Sequence, residues 1–389
     1  MKNIFKFFIA AAVIFFYSAC NKVGDLPNYG KGTAVVLSSS VTAIAAAAAD
    51  SNSNVVIFSW TDPKYAQDTS LYKFVIEIDS AGRNFSKEAT KVVRGAFSNA
   101  MTAKELNNIL LGFGFVYNTA YVVDVRVTSS YGNNNELYTS NTIQLNVTPY
   151  KIPPKVPLPA GGKLWANGGA LPWSWNGAPP TPESELCRVD NETWGGVFSL
   201  SNDNQFLILG QNGGTNPYNE KYAVPDNTLP TITSGGTFGY YPPPIQNDGQ
   251  NFKSPATGGG WYNIILSFQT GTFTIASFGS NALAQELYIL GDGTAGGWNN
   301  APPAAQKFTR LNSCVYEITV PFVPGKYYKF ISSFGNWQPQ FGGTSATGGA
   351  LGANYGGGSD PDAVPTPTVA GTYKITVNFL LNTYTVIKL

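Results

Sequence analysis

Strict alternation runs through Tyr72-Lys-Phe-Val-Ile-Glu-Ile-Asp79, where Tyr72, Phe74, Ile76 and Ile78 interleave with Lys73, Val75, Glu77 and Asp79. A period of two marks a half-buried strand. Tyr121-Val-Val-Asp-Val-Arg-Val127 repeats it with Asp124 and Arg126 outward. Val55-Val-Ile-Phe-Ser-Trp60 is a strongly apolar strand, and Ile143-Gln-Leu-Asn-Val147 closes the set. Strands at this spacing predict an immunoglobulin or fibronectin type III-like sandwich over residues 33–148, with Trp60 in its core. One helix interrupts it. Thr102-Ala-Lys-Glu105 fits a capping box, Leu106, Ile109 and Leu110 share a face, and Gly112 can end the helix.

Residues 149–160 hold five prolines and predict an extended, semi-rigid linker. Beyond it the pattern doubles. Leu164-Trp-Ala-Asn-Gly-Gly-Ala-Leu-Pro-Trp-Ser-Trp175 is echoed by Leu287-Tyr-Ile-Leu-Gly-Asp-Gly-Thr-Ala-Gly-Gly-Trp298, with Gly168 on Gly291 and Trp175 on Trp298. Gly260-Trp-Tyr-Asn-Ile-Ile-Leu-Ser-Phe268 matches Gly371-Thr-Tyr-Lys-Ile-Thr-Val-Asn-Phe379 without gaps. The echoes predict two tandem β-sandwich modules, 161–280 and 281–389. In the second, Val315–Val320, Tyr327–Phe330 and Tyr373–Phe379 alternate like strands, with turns at Gly325 and Asn382. The glycine-heavy stretch Gly342 to Gly358 is expected to be loop, and Phe238-Gly-Tyr-Tyr-Pro-Pro-Pro244 to open an insertion of the first module.

Composition narrows the function. Charged residues are 12 % and the net charge is +1, so no basic surface exists to neutralise phosphates and nucleic acid is not an expected partner. Histidine is absent, which removes His-based catalysis and His-ligated zinc. Cys187 and Cys314 fall in different modules and read as small buried thiols. Paired carboxylates would need no histidine, but among Glu286, Asp292, Glu317, Asp360 and Asp362 no spacing singles out a pair. Asp360-Pro-Asp362 reads as a turn before it reads as a metal site. No catalytic residue, metal or cofactor is expected.

The aromatics suggest binding. Trp298 follows a Gly-rich turn, and Trp337 lies in Phe334-Gly-Asn-Trp-Gln-Pro-Gln-Phe341. Glycine there permits tight turns and leaves the ring uncovered. A pyranose has an apolar C–H face, which a flat ring covers, and a polar rim, which amides and cations satisfy. The expected sugar site of the second module is Trp298, Trp337, Lys329, Asn336 and Gln338, with Asn299 and Gln340 near; core packing is the alternative for both rings. The first module offers Trp173, Trp175, Tyr218 and Tyr222, where Tyr-x-x-x-Tyr parallels Trp337-x-x-x-Phe341. Leu207 falls opposite Lys329, so this site is expected to lack the lysine.

The chain opens with Lys2 and Lys6, an apolar run from Phe7 to Tyr17, then Ser18, Ala19 and Cys20. This resembles a bacterial lipoprotein signal over residues 1–19, with Tyr17 where leucine is usual. The resemblance implies a lipid on Cys20, and residues 20–32 then form a flexible tether. The order of signal, sandwich with Thr102-Ala-Lys-Glu-Leu-Asn107 and tandem modules with Trp298, Lys329 and Trp337 resembles the SusE/SusF family of Bacteroidetes outer-membrane lipoproteins. The resemblance implies an all-β, non-catalytic binder of starch or another polysaccharide or oligosaccharide. It also implies a SusD-like protein and a TonB-dependent transporter as partners, and a lipid-anchored place at the cell surface. A structural or adhesive lipoprotein that binds protein is the alternative.

Overall fold

The computed structural model describes residues 31–66, 68–225, 235–242, 251–255, 259–279 and 281–389. The export signal, Cys20 and most of the expected tether lie outside the described residues. The described residues are all-β apart from one α-helix and short single turns, and the chain divides into two compact units, Met1–Pro153 and Pro154–Leu389.

In the first unit the strands are β1 (Leu37–Ser39), β2 (Ala43–Ile44), β3 (Asn54–Trp60), β4 (Tyr72–Ser80), β5 (Ala89–Arg94), β6 (Ser98–Thr102), β7 (Tyr121–Tyr131), β8 (Tyr138–Thr139) and β9 (Ile143–Val147). One sheet runs β1-β3-β6 and the other β2-β9-β7-β4-β5, with β8 on β7. Both sheets send side chains into one core: Leu37, Phe58 and Trp60 from the first, Phe74, Ile76, Val125 and Leu145 from the second. Helix α1 (Ala103–Gly112) starts on a complete capping box, with Thr102 Oγ1 accepting from Glu105 N and Glu105 accepting from Thr102 N. Two orphan N–H groups are thereby satisfied, worth about 1 kcal/mol. Leu106 and Leu110 enter the core from it. The buried Asn107 amide clasps both backbone groups of Tyr150, so the start of the proline-rich segment docks onto the first unit.

Its far end belongs to the second unit, where Val156 is core and its N–H donates to Phe268 O. Two blocks of ten strands follow among the described residues. The first has β10 (Trp165–Asn167), β11 (Cys187–Arg188), β12 (Thr193–Leu200), β13 (Gln205–Leu209), β14 (Lys221–Ala223), β15 (Gly235–Thr237), β16 (Gly239–Tyr240), β17 (Phe252–Lys253), β18 (Gly260–Ser267) and β19 (Thr272–Gly279). The second has β20 (Tyr288–Leu290), β21 (Thr309–Arg310), β22 (Val315–Phe322), β23 (Tyr327–Ile331), β24 (Gln340–Gly342), β25 (Gly348–Ala350), β26 (Gly352–Asn354), β27 (Val364–Pro365), β28 (Gly371–Asn378) and β29 (Thr383–Lys388). Sheet orders correspond strand for strand. β10-β13-β14-β16 with β17 on β13 becomes β20-β23-β24-β26 with β27 on β23. β11-β12-β18-β19-β15 becomes β21-β22-β28-β29-β25.

The repeated glycine has a packing cause. Gly168 and Gly291 have φ of 144° and 142°, and a Cβ would lie 2.4 Å from Phe206 Cα in one and 2.3 Å from Tyr327 O in the other. Each lets the end of its strand close on its neighbour, a contact that any side chain would break.

Two expectations change here. The stretch Gly342 to Gly358 is not simply loop, since it holds β25, β26 and the end of β24. Its glycines serve close approach: a Cβ on Gly348 would lie 2.6 Å from Tyr384 O, and one on Gly342 2.0 Å from Asp362 O. Nor does Phe238 open an insertion. Phe238 is core, and Gly239–Tyr240 is the strand that corresponds to Gly352–Asn354.

Candidate functional site

Strand β23 carries two faces. Tyr328 and Phe330 enter the main core, while Tyr327, Lys329 and Ile331 point the other way. Register extends this outer face sideways. Leu290 pairs with Lys329, Tyr288 and Gln340 with Ile331, and Asn354 with Gln340. Tyr288, Leu290 and Ile331 form a small apolar cluster apart from the core. Beside it runs a polar network. Lys329 Nζ donates to Gln340 Oε1 at 2.7 Å, and Asn354 Nδ2 and Gln338 Nε2 donate to Asp360 Oδ1 at 2.8 and 3.0 Å. The Asn354 amide, followed by Gln338, Gln340 and the charge of Lys329, holds the Asp360 carboxyl below its ordinary range.

Two loops stand over this face, and hydrogen bonds tie them together. Gly335 N donates to Asn300 O at 2.8 Å, and Asn300 Nδ2 donates to Gly335 O at 3.0 Å. Trp298 lies two residues before this clasp and Trp337 two residues after it. Their exposures are 44 % and 45 %, high for residues of this size. Phe334, which sequence reasoning passed over, is 56 % exposed and stands 5.7 Å from the Tyr288 ring. Gln338 Oε1 is a buried acceptor with no protein partner.

The expected residues divide. Trp298, Trp337, Lys329 and Gln338 are gathered by β23 and the clasped loops. Asn336 is exposed at the tip of the same turn, closed by its N–H to Ser333 O. Asn299 caps its own loop by accepting from Ala301 N. Asp292, inside the repeated turn, accepts from Tyr327 N and sits 3.7 Å from Lys326, a structural task.

The first module keeps the backbone half of the clasp, since Gly177 has no side chain to return the Asn300 bond. Gly213 N donates to Gly177 O at 3.0 Å, with φ of 80° at Gly213 against 81° at Gly335. Trp175 rises from that loop with 45 % exposed. Tyr218 is half-buried, near Asn167 Nδ2 at 3.5 Å. Trp173 leans inward, donating Nε1 to Ala166 O at 3.0 Å and meeting Phe198 edge-on. Tyr222 was expected beside them and is not there. It is 1 % exposed, in the core against Phe268 and Tyr240. Its position pairs with Ile208 as Phe341 pairs with Phe330, and both point inward.

The lysine expectation also changes. Leu207 does occupy the Lys329 position, opposite Asn167 as Lys329 is opposite Leu290. But Lys221 pairs with Leu209 as Gln340 pairs with Ile331. The first module therefore keeps a lysine one strand over by register, but it is buried, at 5 % exposure.

Residues 24–128 match the family described as SusE outer membrane protein. The N-terminal sandwich is thus of SusE type, and the match places the protein at the outer membrane. No protein of curated function matches the chain. Among solved structures it is similar to SusF from Bacteroides thetaiotaomicron, with a TM-score of 0.33 and 12 % identity over 92 % of this chain and 77 % of that one. It is also similar to the E. coli chaperone DraB, with a TM-score of 0.16 and 12 % identity over 63 % of this chain and 99 % of that one. At these scores neither superposition carries weight for the ligand.

Proposed function

We propose that the protein is a non-catalytic binder of starch or a related neutral polysaccharide or oligosaccharide, held at the outer-membrane surface by a lipid on Cys20. The observation that carries this reading is the pairing of exposed Trp298 and Trp337, on clasped loops, with the polar network of Lys329, Gln340, Asn354, Asp360 and Gln338 beneath. The rings cover the C–H faces of sugars, while the polar network meets hydroxyls. Lys329 and Asp360 oppose each other in charge, which suits an uncharged glycan.

The carboxylates support a non-catalytic role. Glu286 pairs with Lys307, Glu317 lies 3.4 Å from Lys374, and Asp360 is committed to two amides. The first module adds a second, differently equipped face with the exposed Trp175 and the half-buried Tyr218. Two weak sites on one polymer raise the overall affinity by orders of magnitude. In this role the protein would hold glycan beside a SusD-like protein and a TonB-dependent transporter.

Affinity electrophoresis of residues 20–389 through gels containing starch, xylan, pectin or mannan tests the reading. Retardation by one neutral polymer, abolished in Trp298→Ala/Trp337→Ala, is the expected result. No retardation by any of them would favour an adhesive lipoprotein that binds protein. Release of reducing sugar would overturn the non-catalytic part.

A further inference from the structure

The two cysteines of the second unit come from different modules, and the fold brings them to one place. Cys187 opens β11, Cys314 immediately precedes β22, and both lie in the same apolar cluster at 3 % and 0 % exposure. That cluster also takes Val197 from the first module and Leu283, Tyr316 and Leu380 from the second, so it is a shared interior. The backbones are pinned beside the sulfurs. Ser313 N donates to Glu185 O at 2.8 Å, and Arg310 lies 3.8 Å from Glu183. Two glycines of β12 let the modules close. A Cβ on Gly195 would lie 2.6 Å from Leu380 Cδ2, and one on Gly196 2.6 Å from Ser313 Oγ. Both are free thiols in the structure, and Cys187 pairs across β11 and β12 with Gly195, whose neighbour Gly196 is the residue that approaches Ser313.

We propose that Cys187 and Cys314 are joined as a disulfide between the two modules in the exported protein. Three observations converge. The two cysteines lie in one buried cluster, their flanking backbones are hydrogen-bonded to each other, and the outer-membrane location requires passage through an oxidising compartment. Neither sulfur is accessible once the modules have closed, so the exchange belongs to folding, before the interface forms.

The oxidant is a protein disulfide of the export compartment. Before the interface forms either thiol can react first, Cys314 for example, once it has lost its proton. It attacks one sulfur of the oxidant, forming a mixed disulfide and releasing one oxidant thiolate. Cys187, after giving up its proton, attacks the Cys314 sulfur. The intramolecular S–S bond forms and the second oxidant thiolate leaves. Two thiols of this chain are oxidised, the oxidant disulfide is reduced, and the two protons end on its thiols. The link would fix the two outer faces at one spacing, which matters to a ligand long enough to touch both.

The test is peptide mass spectrometry on full-length protein taken from outer membranes, alkylated with N-ethylmaleimide in denaturant before any reductant. The expected result is one linked peptide pair containing Cys187 and Cys314, two hydrogens lighter than the separate peptides, with neither cysteine alkylated. Quantitative alkylation of both would overturn the proposal. A second measurement compares melting of wild type with Cys187→Ser, Cys314→Ser and the double variant. If the link exists, reduced and unfolded wild type refolded under reducing conditions melts about 5 °C or more below the oxidised protein. The variants then show no dependence on reductant. Equal melting of oxidised and reduced wild type would count against the link.

Discussion

The first C-terminal module has Leu207 where the second has Lys329, and Lys221 where the second has Gln340. The strands and pairings around these positions are otherwise the same. Leu207 belongs to the first module's core cluster and Lys221 is buried, whereas Lys329 of the second module stays partly exposed, so the face behind the loops is packed over in one module and partly open in the other. The backbone half of the clasp beneath the aromatics, Gly335 to Asn300 or Gly213 to Gly177, survives in both. What varies is the loop between clasp and strand. It is longer in the first module, and it replaces the exposed Trp337 with a half-buried Tyr218. Duplication has kept the platform's support while its chemistry diverged.

The largest expected effect tests whether the repeated glycine belongs to the fold or to the site. Gly291→Ala puts a methyl 2.3 Å from Tyr327 O and 2.5 Å from Tyr328 Cα, so it should cost about 3 kcal/mol or more in urea unfolding. Gly168→Ala, 2.4 Å from Phe206 Cα, should cost a similar amount. A large loss of glycan retardation with unchanged stability would instead make these glycines part of the ligand surface.

Next comes the inequality of the two platforms. Removing both Trp298 and Trp337 should weaken binding about a hundredfold, or about 2.7 kcal/mol, with no change in melting, since both rings are half exposed. Trp175→Ala, with one exposed ring lost from a site of half-buried neighbours, should cost several-fold by calorimetry. Equal losses would mean that the modules contribute equally and that the divergence of their outer faces has no effect on binding.

Much of the fold was legible in the sequence. Alternation through Tyr72–Asp79 named the inward residues Tyr72, Phe74, Ile76 and Ile78, and Thr102 and Glu105 form the capping box that their spacing announces. Glycine misled between Gly342 and Gly358, because a strand without side chains shows no period, although its hydrogen bonds are those of any strand. Tyr222 misled because a four-residue spacing says nothing about which face of a strand a residue occupies. Parity does, and Tyr222 lies on the opposite face of its strand from Lys221. Lys221 itself could not be matched to Gln340 by counting, because the preceding loops differ in length. Asp360 and Asn354 lie in glycine-rich sequence and acquire meaning only when β26 pairs with β24.

A smaller effect probes the displaced lysine. Lys329→Leu gives the second module the residue of the first and removes the 2.7 Å bond to Gln340, leaving that buried amide oxygen unpaired. Binding should weaken about tenfold by calorimetry, in line with a lost charge-assisted hydrogen bond. Combining it with Gln340→Lys rebuilds the first module's arrangement. Recovery of half or more of the lost affinity would show that the position of the cation is interchangeable between these strands.

The smallest effect concerns pH. Asn354 and Gln338 donate to Asp360, so its folded pKa lies below the ordinary 3.8. A depressed carboxyl contributes its order fully above the unfolded value and loses it only as pH falls through the lower folded value. Binding should therefore change less than twofold between pH 8 and pH 5, and weaken only below about pH 4, near the ordinary carboxylate range. Asp360→Asn should flatten that acid limb while costing two- to threefold at pH 7, because an amide oxygen accepts more weakly than a carboxylate. In the double variant Trp298→Ala/Trp337→Ala, left to bind through the first module, the acid limb that arises from Asp360 should be lost. A limb of equal size in that variant would show that the titrating group is not Asp360.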